Sequence, residues 1–294
     1  MAAVQSLGFL GAGRIANALV RGFLSANVLP QKSIYASARS KGSLDEIGKL
    51  GINVTHDNRE VVRNCKVVWI TVKPHGVCSV LREVAPFVTK DHVFVSAAAG
   101  ISLTNMEKNL PHETKVFRTM PNTPVSVCSG VTIYAPGTMV TEKDEEALDA
   151  MLSSVGISMK MEEHYMDIIT GLTGCGPTYM YMTLDALADG GVYAGIPKHL
   201  AVKLMAHTMI GAANMVLKNG QHPVEVSSLR GYHTQLKDEV CSPAGTSIQA
   251  VRLMEKAGYR GILMDAVHIA SKRTAELARL SNGEEDDVVK KWDH

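Results

Sequence analysis

The stretch "GFLGAGRIANALVRGF", residues 8–23, restricts the fold more than any other part of the chain. An apolar run stops at Gly11 and Gly13 and passes at once into a segment where Ile15, Leu19 and Phe23 recur at helical spacing. A strand that feeds a helix through so short a turn sends the chain back across a sheet whose next strand runs parallel to the first. The unit repeats. Apolar runs at 4–10, 33–38, 66–72, 92–98 and 115–120 read as strands, with 131–134 and 157–161 as further edge strands, and amphipathic segments lie between them. Residues 1–162 are expected to form an α/β domain, a parallel sheet covered by helices.

Gly11, Gly13 and Ala16 give G-x-G-x-x-A, the dinucleotide fingerprint with alanine in its last position. Glycine at 11 permits the tight turn. Glycine at 13 lets the backbone approach a pyrophosphate at the helix start, where free N–H groups and the helix dipole favour anions. Glycine turns also serve only to pack a helix on a strand, so the position at the first strand-to-helix junction is what favours a dinucleotide. The end of the second strand, "YASARSKG", lacks the carboxylate that would hold the ribose hydroxyls of NAD. Ser37, Arg39, Ser40 and Lys41 instead suit a 2′-phosphate, which favours NADP(H) over NAD(H), although a solvated loop would have the same composition. Lys73 and Pro74 in "TVKPHG" stand at the carboxyl edge of the fourth strand, where ligands of such sheets bind, and "SAAAG" offers small residues as a flat wall for a nicotinamide.

After residue 163 the texture changes. Residues 177–195 and 197–220 are long, rich in alanine and methionine, and apolar around most of their circumference; each opens at a proline, and the second stops at Asn219-Gly220. Helices apolar on so many sides need partners there, which predicts a homo-oligomer held by this region. The methionines read as flexible packing. A formal net charge of +1 supplies no field for nucleic acid or an anionic membrane. No uninterrupted apolar run approaches a membrane span of about 18 residues. The five scattered cysteines show no zinc spacing and read as reduced thiols. With the first strand starting at Val4, no targeting segment is expected, and the cytosol is the expected compartment. Residues 282–294 read as a charged, solvated tail.

"LKDEVCSPAGTSIQAVRLMEKAG", residues 236–258, reads as a helix start with a bare first turn, either an ordinary helix start or a receiver for a carboxylate. This segment, with "GFLGAGRIA", "VKPH", "SAAAGIS", "MPNTP", "GLTGCGPTY" and "DALADGGVYAGIP" in that order, closely resembles the pyrroline-5-carboxylate reductases. The resemblance covers nearly the whole chain. It implies reduction of 1-pyrroline-5-carboxylate to L-proline with NAD(P)H, and a Rossmann-type dinucleotide-binding domain at 1–162. It further implies an all-α dimerisation and substrate domain at 163–281 that interlocks two subunits, with assembly into a pentamer of dimers. Its cofactor contacts fall on Gly11, Ala12, Gly13, Arg14, Ile15, Ser37, Asn58, Val72, Lys73, Pro74 and Ala98, beside Arg39 read above. Its substrate contacts fall on Glu163, Gly245, Thr246 and Ser247. Ser247 and Thr246 take the catalytic positions, with the Ser247 hydroxyl at the ring nitrogen.

The chain departs from the family in places. Ala244 stands where glycine is usual, which matters only if that residue needs a positive φ. Cys175 replaces a common serine, Ser247 a common threonine, and "VSSLRGYHT" (226–234) is an insertion directly before the substrate segment. Two rivals stay open. A 3-hydroxyacid dehydrogenase of the same plan usually works with a lysine on the first long C-terminal helix, and 177–195 has none. A sensor that keeps NADPH without turnover is consistent with the departures.

Overall fold

Short apolar runs become the central strands because a strand covered by helices on both faces has no polar side. The computed structural model describes residues 5–219 and 236–281. Within them β1 (Leu7–Leu10), β2 (Ile34–Ser37), β3 (Asn53–Thr55), β4 (Val67–Ile70), β5 (Val93–Ser96), β6 (Lys115–Pro121), β7 (Gly130–Pro136) and β8 (Gly156–Lys160) form one sheet in the order β3-β2-β1-β4-β5-β6-β7-β8. Strands β1 to β6 pair in parallel, β7 runs antiparallel to β6, and β8 is parallel to β7. The order 3-2-1-4-5-6 reverses direction between β1 and β4, which is the doubly wound Rossmann plan.

Two strands differ from expectation. Nothing in the sequence announces β3, since three residues are too few for a pattern; Asn53 fixes it by donating from Nδ2 to the Lys32 carbonyl at 2.8 Å and the Ile34 carbonyl at 3.1 Å. The run at 131–134 is no edge strand: β7 lies between β6 and β8, with Thr132 to Ala135 buried, and only β8 ends the sheet on that side.

The connecting helices are α1 (Arg14–Ser25), α2 (Lys41–Gly48), α3 (Asn58–Asn64), α4 (Val77–Val84), α5 (Leu103–Glu107) and α6 (Glu142–Ser153). Alternation along the strands divides the core between the two faces of the sheet. Leu7, Phe9, Trp69 and Phe117 pack with Leu19 and Phe23 of α1 on one face, where the Phe9 and Trp69 rings stack with centroids 6.2 Å apart. Leu10, Val68, Ile70, Phe94 and Val116 pack with Val61 and Leu81 on the other. Burying each large side chain stabilises the fold by roughly 1.5–3 kcal/mol, so these two layers fix the sheet on which the loops stand.

Beyond β8 come α7 (Met166–Ile169), a π-helical turn at Thr170–Gly174, α8 (Gly176–Tyr193), α9 (Lys198–Asn219), α10 (Leu236–Val240), α11 (Thr246–Lys256) and α12 (Tyr259–Ser281). The chain divides into two units, one of Met1–Pro177 with Val267–His294 and the other of Thr178–Ala266. The first unit therefore includes most of α12. A Cβ on Gly171 would lie 2.2 Å from Ser271 Oγ, and one on Gly100 would lie 3.0 Å from the Ala278 nitrogen, so α12 lies directly on both backbones.

In the second unit α8 and α9 meet through small residues, Ala188 and Ala201 being buried and Gly191 lying against Ala201. Their remaining apolar side chains face outward: Met182 is 70% exposed and Leu204 59%. The span Lys198–Lys218 of α9 is long and apolar enough to cross a membrane by length and composition, with a mean hydropathy of 1.4. No such helix is expected from uninterrupted runs, because Lys203 and His207 interrupt this one while the average over the helix remains high. The insertion at 226–234, the tail at 282–294 and the strand start at Val4 lie outside the described residues.

Candidate active site

The turn after β1 is held on both sides. The Gly11 N–H donates to the Ser37 carbonyl at 2.9 Å, and the Thr71 hydroxyl donates to the Gly11 carbonyl at 2.7 Å. Gly11 has φ +110°, and a Cβ there would sit 2.7 Å from the Thr71 carbonyl carbon and the Val72 nitrogen. No other residue type fits that space or that conformation. Gly13 then leads α1 with no side-chain cap, and the first turn carries no acidic residue. Gly13 and Arg14 are exposed, Ile15 is half-buried and Ala12 is buried. An uncapped helix start with open N–H groups and no neighbouring carboxylate fits a pyrophosphate.

The carboxyl ends of β2, β1, β4 and β5 are neighbours in the sheet, so the residues just beyond them gather on one edge. Ser37 ends β2, fully buried, and its hydroxyl donates to Asn58 Oδ1 at 2.7 Å; Asn58 in turn donates to Glu83 at 2.9 Å. Ser37 thus ties β2 to the start of α3, while Arg39 and Ser40 lie exposed in the loop beyond it and Lys41 lies exposed at the first position of α2. Val72 and Pro74 are half-buried and Lys73 is exposed after β4, and Ala98 is buried after β5, where its N–H donates to Ser96 Oγ at 3.2 Å. Thr71 is the residue that sequence reading passes over. Its role comes only from the pairing of β4 with β1, which brings its hydroxyl under the glycine turn.

Glu163 occupies a second place in the first unit, at the start of the turn Glu163–Tyr165. Its Oε1 accepts from the Leu103 N–H at 2.7 Å and from Arg118 Nη1 at 3.1 Å, while Arg118 Nη2 donates to Asp167 at 2.7 Å. Arg118, on β6, has a side chain only 6% exposed. Glu163 also lines a cleft of about 580 Å³ with Leu103, Pro136, Met161 and Tyr165. No sequence signal points to Arg118, which lies inside "RTMPNTP" without a marked spacing.

Gly245, Thr246 and Ser247 belong to the second unit. Gly245 leads α11 with no side-chain cap and no acidic residue in the first turn. Its N–H donates to the Ser242 carbonyl at 3.0 Å, and a Cβ there would lie 2.2 Å from Ser242 Oγ, so a larger residue would require the Ser242 side chain to turn away. Thr246 is exposed and Ser247 half-buried in the first helical turn. Ala244 does adopt a positive φ, +58°, the conformation that glycine accepts more readily. All five cysteines are free, and burial pushes the Cys65 thiol up to about 12, which leaves it inert as a nucleophile.

A family model described as pyrroline-5-carboxylate reductase dimerisation matches residues 163–277, and one described as NADP oxidoreductase, coenzyme F420-dependent, matches residues 6–100. Pyrroline-5-carboxylate reductase 2 of Bos taurus is 42% identical over 285 residues, which cover 95% of this chain and 86% of that protein. The pyrroline-5-carboxylate reductase of Pisum sativum is 40% identical, over 93% of this chain and 96% of its own length. The crystal structure of a Plasmodium falciparum pyrroline carboxylate reductase with NADP bound superposes with a TM-score of 0.82 at 29% identity, covering 93% of this chain and 98% of that one. Similarity of this extent, across both units, shows that the chain belongs to the pyrroline-5-carboxylate reductase family.

Proposed function

We propose that the chain reduces 1-pyrroline-5-carboxylate to L-proline at the expense of NAD(P)H, with NADP(H) favoured over NAD(H). The observation that carries the reading is a pair of helix starts, α1 and α11, each led by a glycine with no side-chain cap and no acid in its first turn. One suits the phosphates of a dinucleotide and the other the carboxylate of a small substrate. When bound, the nicotinamide supplies the hydride for the carbon of the C=N bond.

The chain's own residues hold and orient. Gly11, Ala12, Gly13, Arg14 and Ile15 cradle the pyrophosphate, with Thr71 fixing the turn beneath it. Arg39 and the hydroxyls around it take the 2′-phosphate, the Ser37–Asn58 pair sets the ribose side, and Val72, Lys73, Pro74 and Ala98 form the edge along which the dinucleotide lies. Residues 1–162 thus serve the cofactor, and 163–281 serve dimerisation and substrate. The helix start that Gly245 leads, through Thr246 and Ser247, anchors the carboxylate with the N–H groups of its first turn. The Ser247 hydroxyl orients the ring nitrogen, which binds protonated and so accepts hydride without a strong enzyme acid. Glu163 is a further substrate contact. The outward apolar faces of α8 and α9 support a homodimer, from which a pentamer of dimers is assembled.

The test is oxidation of NADPH and, in parallel, of NADH by the purified protein with 1-pyrroline-5-carboxylate, with proline identified as product. Substrate-dependent oxidation faster with NADPH is expected. Ser247→Ala should lower kcat on the order of 10²-fold while NADPH binding is retained. NADPH binding without turnover in the native chain would favour the sensor.

A further inference from the structure

We propose that Arg118 is a positioning residue for catalysis: it fixes the Glu163 carboxylate so that one oxygen faces the substrate, an inference that rests on Glu163 being a substrate contact. A buried guanidinium must find partners for its charge, and a purely structural arginine does so best by a two-pronged grip on one carboxylate. Arg118 does not. Its fork is divided, Nη1 to Glu163 and Nη2 to Asp167, and its Nε is buried without a hydrogen-bond partner. Oε1 of Glu163 takes both the Arg118 bond and the Leu103 N–H, whereas Oε2 has no partner among the described residues.

One oxygen is thereby pinned inward, and rotation of the carboxylate is blocked. The other is left over at the wall of the 580 Å³ cleft that Glu163 lines. Asp167 holds the far side of the fork from α7, one helical turn along the same segment, so the guanidinium cannot swing with Glu163. The arrangement delivers a fixed negative charge with an open acceptor site, which is what a protonated cyclic imine or a secondary ammonium product requires. A flexible surface glutamate would have to be ordered anew by each substrate molecule.

The test compares Arg118→Lys, Glu163→Gln and the double variant by steady-state kinetics, with thermal melting and NADPH titration as controls for folding. Arg118→Lys keeps the charge but loses the fork. It should raise KM for 1-pyrroline-5-carboxylate about tenfold and leave NADPH affinity unchanged, as loss of one charge-assisted hydrogen bond predicts. Glu163→Gln should do the same, and the double variant should be no worse than the poorer single, because both act through the one carboxylate. If Glu163→Gln leaves KM unchanged, the reading of Glu163 as a substrate contact fails and the proposal with it. If Glu163→Gln acts but Arg118→Lys alters only melting, or the two effects multiply, the positioning role alone is overturned. Should Arg118→Lys not fold, Asp167→Asn frees one arm of the fork and should raise KM about threefold; an unchanged KM there also overturns the role.

Discussion

Ala244 holds its backbone at φ +58° directly before the glycine that leads α11. An L-residue with a Cβ is strained there by roughly 1–2 kcal/mol, and glycine is not, although glycine gives back part of that gain through a more flexible unfolded chain. Ala244→Gly is therefore expected to stabilise the protein by about 0.5–1 kcal/mol, seen as a rise in Tm, without loss of turnover. Lower stability would mean that the alanine methyl makes packing contacts worth more than its strain. At this scale the sequence marked positions whose chemistry is local. Gly11 and Gly13 announce a turn, and Ala244 is suspect wherever glycine is usual. It could not mark Thr71 or Arg118, whose roles come from residues brought beside them by the sheet, Gly11 under β4 and Glu163 against β6.

Among the elements, α6 shows how local signals and tertiary contacts combine. Thr141 caps it, accepting from the Asp144 N–H while Asp144 accepts from the Thr141 N–H at 3.0 Å, and Lys115 of β6 donates to Asp144 at 2.9 Å. Burial acts to raise the Asp144 pKa, but these hydrogen bonds from Lys115 and Thr141 outweigh it and leave the group below its ordinary value of 3.8. A carboxylate depressed in the folded state stabilises fully above the unfolded pKa, and that contribution disappears as pH falls through the folded value. Asp144→Asn should cost about 1–2 kcal/mol at pH 7 in chemical denaturation, a difference that shrinks below pH 4. Equal destabilisation at both pH values would assign the loss to shape rather than charge. Element types were legible where length or punctuation was clear: the four-residue strand cores from their apolar runs, α8 from Pro177 in its first turn and α9 from Pro197 directly before it. β3 and the interior place of β7 were not, because three residues carry no period and strand order is a property of the sheet.

The whole molecule carries more apolar surface than one copy can cover. Met182 on α8 and Leu204 and Ile210 on α9 are more than half exposed, in the region that matches the dimerisation model. Surface of this kind, left open by the described residues, is what an interface with a second chain would cover, as the match to a dimerisation model supports. Sedimentation equilibrium is expected to give at least twice the 31.7 kDa chain mass. Leu204→Glu, which would bury an unpaired charge, should weaken association on the order of 10²-fold, and an unchanged mass would move the interface elsewhere. That α8 and α9 leave apolar surface open could be read from helices apolar on most sides; the two-unit division, with the C-terminal part of α12 belonging to the first unit, could not, because no local pattern records which distant segment a helix returns to. That return sets an order of events during synthesis. The eight described strands leave the ribosome well before Val267, yet the backbones of Gly100 and Gly171 lie against the part of α12 that emerges from Val267 onward. A nascent chain paused within Thr178–Ala266 has all eight described strands but lacks these α12 contacts, so the first unit is finished only after the residues from Val267 onward have emerged.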